Sequence, residues 1–168
     1  MAKIGIIGGS GLDNPEILKD VYDKEIYTPY GKPSSLLKIG KINNADVIII
    51  SRHGRKHEFP PTHVNNRANI WALKNERCTH IIATTAVGSL REEIGRGDFV
   101  ILDQFIDFTR HRSITFHDSF EDGMKHTPMA NPFNENLRNL LIQTCRELNY
   151  KHHKKGTVVP IEGPRFST

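Results

Sequence analysis

Apolar residues fall in short runs closed by glycine, asparagine or proline, and only late in the chain do they take up a long helical period. Ile4 to Gly8 is such a run, which predicts a buried strand entering a tight loop. Leu36–Ile42 and Ala45–Ser51 are apolar and β-branched with Asn43 and Asn44 between them, so the pair predicts a hairpin. Thr28, Pro29, Tyr30 and Gly31 punctuate the approach to it. Asn66 is placed to cap a helix through about Glu76, with Ile70 and Leu73 on one face. Thr79–Thr85 and Phe99–Leu102 predict two further buried strands. Pro128 to Pro132 then breaks the chain. Beyond it, Leu137, Leu140, Leu141, Cys145 and Leu148 recur at three- and four-residue steps, predicting a helix over Asn134 to Asn149. Thr157–Ile161 returns to strand, and Pro160 assigns it to an edge or a strand end.

Strands alternating with helices predict an α/β protein, a mixed twisted β-sheet flanked by helices in a single domain over residues 1–168. Glu162-Gly163-Pro164-Arg165-Phe166-Ser167-Thr168 ends the chain straight after its last strand, with no closing helix. The chain is therefore expected to be incomplete at its C-terminus.

Composition narrows the function classes. No segment approaches the roughly 20 apolar residues of a membrane span, and the N-terminus lacks the longer apolar stretch of a secretory signal. Cys78 and Cys145 stand far apart without CxxC spacing, which predicts reduced, buried thiols in a cytoplasmic protein. A net charge of +4 and nine histidines suit an anionic substrate. Lys and Arg are not gathered into one tract, so nucleic acid is not an expected partner. The one dense run, Lys151 to Lys155, is expected to be a solvated helix end.

Three segments carry candidate chemistry, and each follows a predicted strand. Gly8-Gly9-Ser10-Gly11 lets backbone approach an anion, and Ser10 adds a hydroxyl. Its spacing is neither the dinucleotide nor the P-loop fingerprint. Ser51-Arg52-His53-Gly54-Arg55-Lys56-His57 crowds cations and imidazoles that an anion would relieve, and Arg grips phosphate with two parallel N–H bonds. A metal on His53 and His57 is set aside, since no acidic or cysteine partner is expected nearby and Gly54 and Pro60-Pro61 oppose a helix. Thr84-Thr85-Ala86-Val87-Gly88-Ser89-Leu90 supplies hydroxyl and amide donors where open α/β sheets bind ligands. Asp103, Asp107, Asp118, His111 and His117 could serve acid–base work but read better as a polar surface stretch. Trp71 is expected in the core.

GIIGGSGL, SRHGRKH, HVNNRANIWALK, TTAVGSLREEIGRGDFVILDQFIDFT, HTPMANPF and EGPRFS together resemble the 5'-methylthioadenosine phosphorylases of the purine nucleoside phosphorylase superfamily. The resemblance runs from Lys3 to the last residue. It implies phosphorolysis of 5'-methylthioadenosine to adenine and 5-methylthioribose 1-phosphate, with inorganic phosphate as co-substrate and no metal or organic cofactor. It assigns phosphate to Ser10, Arg52, His53, Thr85 and Ala86. It places Phe166 and Ser167 at the purine and sugar, His57 near phosphate and ribose, and His126 in a neighbouring subunit's pocket, hence a homotrimer. The family's leaving-group residues are expected beyond Thr168, so these residues alone are expected to have little activity. Readings left open are a 6-oxopurine nucleoside or 5'-methylthioinosine phosphorylase, an inactive truncated paralogue and an anion-binding module. A nicotinamide enzyme would need an acidic residue ending a second apolar strand, and neither Asp20 nor Asp23 does.

Overall fold

The computed structural model describes residues 2–9, 11–12, 16–121 and 123–163. In chain order these form β1 (Lys3–Gly8), β2 (Lys19–Lys24), β3 (Leu37–Ile42), β4 (Ala45–Ser51), a 3-10 turn (Pro61–His63), α1 (Asn66–Asn75), β5 (His80–Ala83), β6 (Phe99–Val100), β7 (Gln104–Phe105), α2 (Glu135–Glu147), β8 (His152–His153) and β9 (Thr157–Val158). They gather into two compact units, Met1–Val87 with Ser113–Phe116, and Gly88–Arg112 with His117–Thr168. Among the described residues, no helix is long and apolar enough to cross a membrane.

The first unit holds a mixed five-stranded sheet in the order β2-β3-β4-β1-β5. β3 and β4 form the expected antiparallel hairpin, with Ile42 opposite Ala45 and Asn43 in left-handed backbone at φ 51°. β1 lies between β4 and β5 and is parallel to both. β4 is therefore central, and its unbroken Val47-Ile48-Ile49-Ile50 run is buried on both faces. On one face Ile48 and Ile50 pack with Ile7, Leu37, Ile39, Ala72 and Leu73. On the other, Val47 and Ile49 pack with Leu18. The edge strand β2, Lys-Asp-Val-Tyr-Asp-Lys, is exposed throughout and shows no apolar alternation, which is why pattern reading passes over it.

α1 follows the expected helix with two shifts. Its cap is Asn65, one residue earlier than Asn66, and the Asn65 side chain accepts from the Ala68 N–H. Its buried face is Ala68, Asn69, Ala72 and Leu73, while Ile70 is exposed and Trp71 half-buried. Asn69 is completely buried with both ends of its amide bonded, accepting from the Ser34 N–H at 2.8 Å and donating to the Ser34 hydroxyl at 3.0 Å. The bonds tie the loop before β3 to the helix.

The second unit has two short parallel pairs, β6 with β8 and β7 with β9. The apolar run Phe99–Leu102 yields only the two-residue β6, because a single neighbour pairs with it, and Phe99 stays half exposed. Lys151 to Lys155 is not simply a solvated helix end. His152–His153 is β8, and Lys151 and His153 both bond the Asp98 carboxylate, at 3.0 and 2.9 Å. α2 is capped by Asn134 as expected and buries Ile142 and Cys145, leaving Leu140 and Leu148 exposed. β9 ends before Pro160, whose carbonyl accepts from the Phe108 N–H. Both cysteines are free thiols, and burial pushes the Cys78 thiol up from its ordinary value.

Candidate anion site at the carboxyl ends of three parallel strands

The register brings the three candidate loops together. Gly8 pairs with Ser51 and Ile7 with Ala83, so β1, β4 and β5 end at one level and their loops leave the same sheet edge. Carboxyl ends of parallel strands are where open α/β sheets form ligand crevices. The Arg52 N–H donates to the Gly8 carbonyl at 2.9 Å, and the Thr84 N–H to the Ile7 carbonyl at 3.1 Å, extending both ladders into the loops.

Arg52 joins all three. Its Nη1 donates to the Thr84 carbonyl at 2.7 Å, so a side chain from the β4 loop reaches the β5 loop. On the way it crosses the β1 loop. A Cβ on Gly9 would come within 2.9 Å of Nη2, so a side chain there would displace the guanidinium. The guanidinium is half-buried, and burial pushes its pKa below the usual high value. Among the described residues no carboxylate pairs with it. A desolvated cation without a counter-charge is costly, and a bound anion would offset that cost.

His53 is seated by two bonds to Phe59. Its carbonyl accepts from the Phe59 N–H at 3.0 Å, and its Nδ1 lies 2.9 Å from the Phe59 carbonyl. The ring stacks nearly parallel to His57, with centroids 6.2 Å apart and planes at 7°. His57 takes left-handed backbone, φ 57°. Gly54 does so too, at φ 78°, and a Cβ there would strike the Glu58 carboxylate.

Not every cation in the turn is available for an anion. Arg55 is held by Asp23 of β2 through two bonds, at 2.8 and 2.5 Å, and that pairing keeps the Asp23 carboxyl below its ordinary range. Glu58 is the acidic neighbour that the sequence reading passed over. Its carboxylate accepts from the Lys56 N–H at 3.0 Å, and backbone N–H groups of Glu58 and Lys56 hold its pKa down. The cation crowding is therefore relieved partly from within the protein, leaving Arg52 and His53 on the crevice side. Asp23 carries no signal along the chain, since its partner Arg55 is brought to it by the fold, whereas Glu58 lies beside His57 in sequence and bonds the Lys56 N–H two residues away.

Thr85 and Ala86 lie exposed just past β5. The Thr85 hydroxyl reaches the Ala86 carbonyl at 3.3 Å, and among the described residues the Thr85 and Ala86 N–H groups have no protein acceptor. They remain as donors. Ser10, Phe166 and Ser167 lie outside the described residues. His126 is exposed and belongs to the second unit. There Asp103 accepts from the Gly156 N–H and Asp107 from the Thr109 N–H, so both carboxylates serve the backbone. The His111 N–H donates to Glu162 at 2.9 Å.

Comparison with known proteins agrees with this fold. A profile of the phosphorylase superfamily matches residues 3–168. The S-methyl-5'-thioadenosine phosphorylase of Xenopus tropicalis is 57% identical over 99% of this chain and 60% of its own length. That of Saccharolobus solfataricus is 52% identical over 99% of this chain and 61% of its own. The chain thus spans about 60% of the length of these relatives. The methylthioadenosine phosphorylase of Schistosoma mansoni in apo form superposes with a TM-score of 0.92 at 44% identity, over 100% of this chain and 66% of that one. A mutant of the same enzyme in complex with methylthioadenosine superposes equally well, at 0.92.

Proposed function

Because the chain belongs to the phosphorylase superfamily, we propose that it serves the phosphorolysis of 5'-methylthioadenosine to adenine and 5-methylthioribose 1-phosphate. Inorganic phosphate is the co-substrate, and no metal or organic cofactor takes part. The observation that carries this reading is Arg52, a half-buried guanidinium reaching from the β4 loop across Gly9 to the Thr84 carbonyl. Three loops on one sheet edge then make a single oxyanion cradle. The relatives' names and the methylthioadenosine complex of the Schistosoma mansoni mutant support the choice of nucleoside.

In this reading Arg52, His53, Ser10, Thr85 and the Ala86 N–H orient the phosphate. A phosphate oxygen forms the bond to C1' as the C1'–N9 bond breaks, and the electron pair leaves with the purine, which takes a proton. The sugar passes through a cation-like state, so a fixed anion beneath C1' stabilises it electrostatically. Holding the anion in place also lowers the entropic part of the barrier. His57 lies near phosphate and ribose, Phe166 and Ser167 line the purine and sugar, and His126 reaches the 5'-substituent of a neighbouring subunit in a homotrimer. The setting is cytoplasmic purine and methionine salvage.

The test is base release from 5'-methylthioadenosine with and without phosphate, with inosine and methylthioinosine alongside. Adenine release that requires phosphate is the expected outcome for a chain carrying the family's leaving-group residues, and residues 1–168 alone should release little. Release independent of phosphate, or confined to inosine, would sink the assignment. A chain that binds phosphate and releases no base would reduce the reading to the phosphate half of the site.

A further inference from the structure

The hydrogen bonds of His53 constrain where its protons sit. Its Nδ1 is 2.9 Å from the Phe59 carbonyl, and a carbonyl can only accept, so Nδ1 carries a hydrogen. Nε2 faces the other way, toward Arg52, whose Nε approaches it at 3.4 Å as a donor. In this arrangement the ring is neutral, and the Nε2 lone pair is directed at Arg52, the side chain that spans the three loops. An oxyanion held by Arg52 also presents lone pairs. Two acceptors facing each other repel, and neither the ring nor the anion gains a bond. The tautomer cannot simply switch, because moving the hydrogen from Nδ1 to Nε2 would set the Nδ1 lone pair against the Phe59 carbonyl.

Resting on the phosphate reading above, we propose that the site takes its oxyanion together with a proton, which goes to His53. Nε2 acquires the hydrogen from solvent and donates it to the anion, while Nδ1 keeps its bond to Phe59. The ring leaves as a neutral acceptor and returns as a cationic donor. Proton and anion arrive as a pair for an electrostatic reason. Without the anion, an imidazolium would sit against the Arg52 guanidinium, and two cations at that range repel. An oxygen between them attracts both. Histidine is the side chain suited to such a change near neutral pH.

Among the described residues the other groups around the ring can be named. Within its own loop these are Arg52, the parallel His57 ring, Lys56 and the Glu58 carboxylate, which the Lys56 N–H engages. Arg55 of that loop is bonded to Asp23 of β2. From the loops after β1 and β5 the described residues Gly9, Gly11, Leu12 and Thr84 to Val87 bring no titratable side chain. Among the described residues His57 is the one neighbour able to imitate the effect, so the test must separate the two rings.

Sulfate is the discriminating probe, since it carries no proton to donate near neutral pH. Calorimetric titration of the chain with sulfate and with phosphate, in buffers of different ionisation heat between about pH 5.5 and 8.5, counts the protons taken up. At the alkaline end, about one proton per sulfate is expected, with affinity falling about tenfold per pH unit. His53→Gln replaces the ring by an amide that donates without titrating and flattens the slope, whereas His57→Gln preserves it. The proton count of the unaltered chain stands even if a variant folds poorly. Sulfate binding without proton uptake, a slope that survives His53→Gln, or one that vanishes in His57→Gln each overturns the coupling and leaves the anion site standing. Phosphate bound with sulfate refused also overturns it, because the ligand then supplies the hydrogen. Failure to bind either anion at any pH overturns the anion site and the coupling with it.

Discussion

The two units are held together by different physics. In the first, β4 is buried on both faces and aliphatic side chains interdigitate with Ala72 and Leu73 of α1. In the second, Ile142 and Cys145 are buried while Phe99, Phe108, Phe120 and Leu140 remain exposed. Polar ties do much of the work there. Asp98 bonds Lys151 and His153 across the β6–β8 pair, and Asp103 accepts from the Gly156 N–H just before β9. Arg138 of α2 donates to the carbonyls of Leu102 and Lys154 at 2.8 and 2.7 Å. Glu162 accepts from the N–H groups of Arg110 and His111. The candidate site stands on the unit with the close-packed sheet, where loop ends are positioned by strands that cannot shift register without exposing a core.

The largest expected effect is on that core. Leu73→Ala should lower unfolding free energy by about 2–5 kcal/mol, since Leu73 is fully buried beneath the sheet. Ile142→Ala in the second unit should cost less, because a sparsely packed site collapses more easily. Urea unfolding of both variants decides this, and equal costs would erase the contrast. Next comes Arg52→Lys, which keeps the charge but loses the fork that spans the loops. Phosphate affinity should fall at least about tenfold, from the loss of about 1.5–3 kcal/mol in a charged hydrogen bond. An unchanged dissociation constant in a phosphate titration would remove Arg52 from the site.

The polar ties of the second unit should show in acid. His153 and Lys151, with the Gly95 N–H, hold the Asp98 carboxyl down to about 2, below its ordinary value of about 3.9. A carboxyl depressed by folding stabilises above the ordinary value, and that stabilisation is lost as pH falls from about 4 toward about 2. Amide exchange at Val100 and Ile101 should quicken over that window, and Asp98→Asn should abolish the step. Protection that ignores pH there would mean Asp98 does not brace the strand pair. The smallest effect is expected for Asp23→Asn. The partly exposed Asp23–Arg55 pair should contribute less than about 1 kcal/mol to stability. A larger loss in thermal unfolding would show that the Arg52–Phe59 turn depends on β2.

Much of the first unit was legible along the chain. Apolar runs with glycine or asparagine ends marked β1, β3 and β4, because a strand buried on both faces needs a continuous apolar sequence. The run Thr79–Thr85, expected as a buried strand, is the shorter edge strand β5, with His80 and Ala83 exposed and Ile81 and Ile82 half-buried. β2 was not legible, since an exposed edge strand needs no apolar alternation. In the second unit periodicity was a partial guide. The Leu137, Leu140, Leu141, Cys145, Leu148 series gave the correct helix, with Cys145 buried and Leu137 and Leu141 half-buried, but Leu140 and Leu148 are exposed. The two-residue strands β6 to β9 carry too few positions for any period to register.

The three donor-rich loops could be chosen from residue types alone, because glycine, arginine, histidine and threonine at strand ends have limited structural uses. Their meeting could not. It follows from β1 lying between β4 and β5 in parallel register, a pairing between segments about 40 to 80 residues apart that leaves no local trace. The separation of Arg52 from Arg55 likewise required the fold. Both are arginines of one short turn, yet Arg55 meets Asp23 and Arg52 the Thr84 carbonyl just past β5. Residue chemistry settled which groups were able to hold an anion; the sheet order decided which were left facing it.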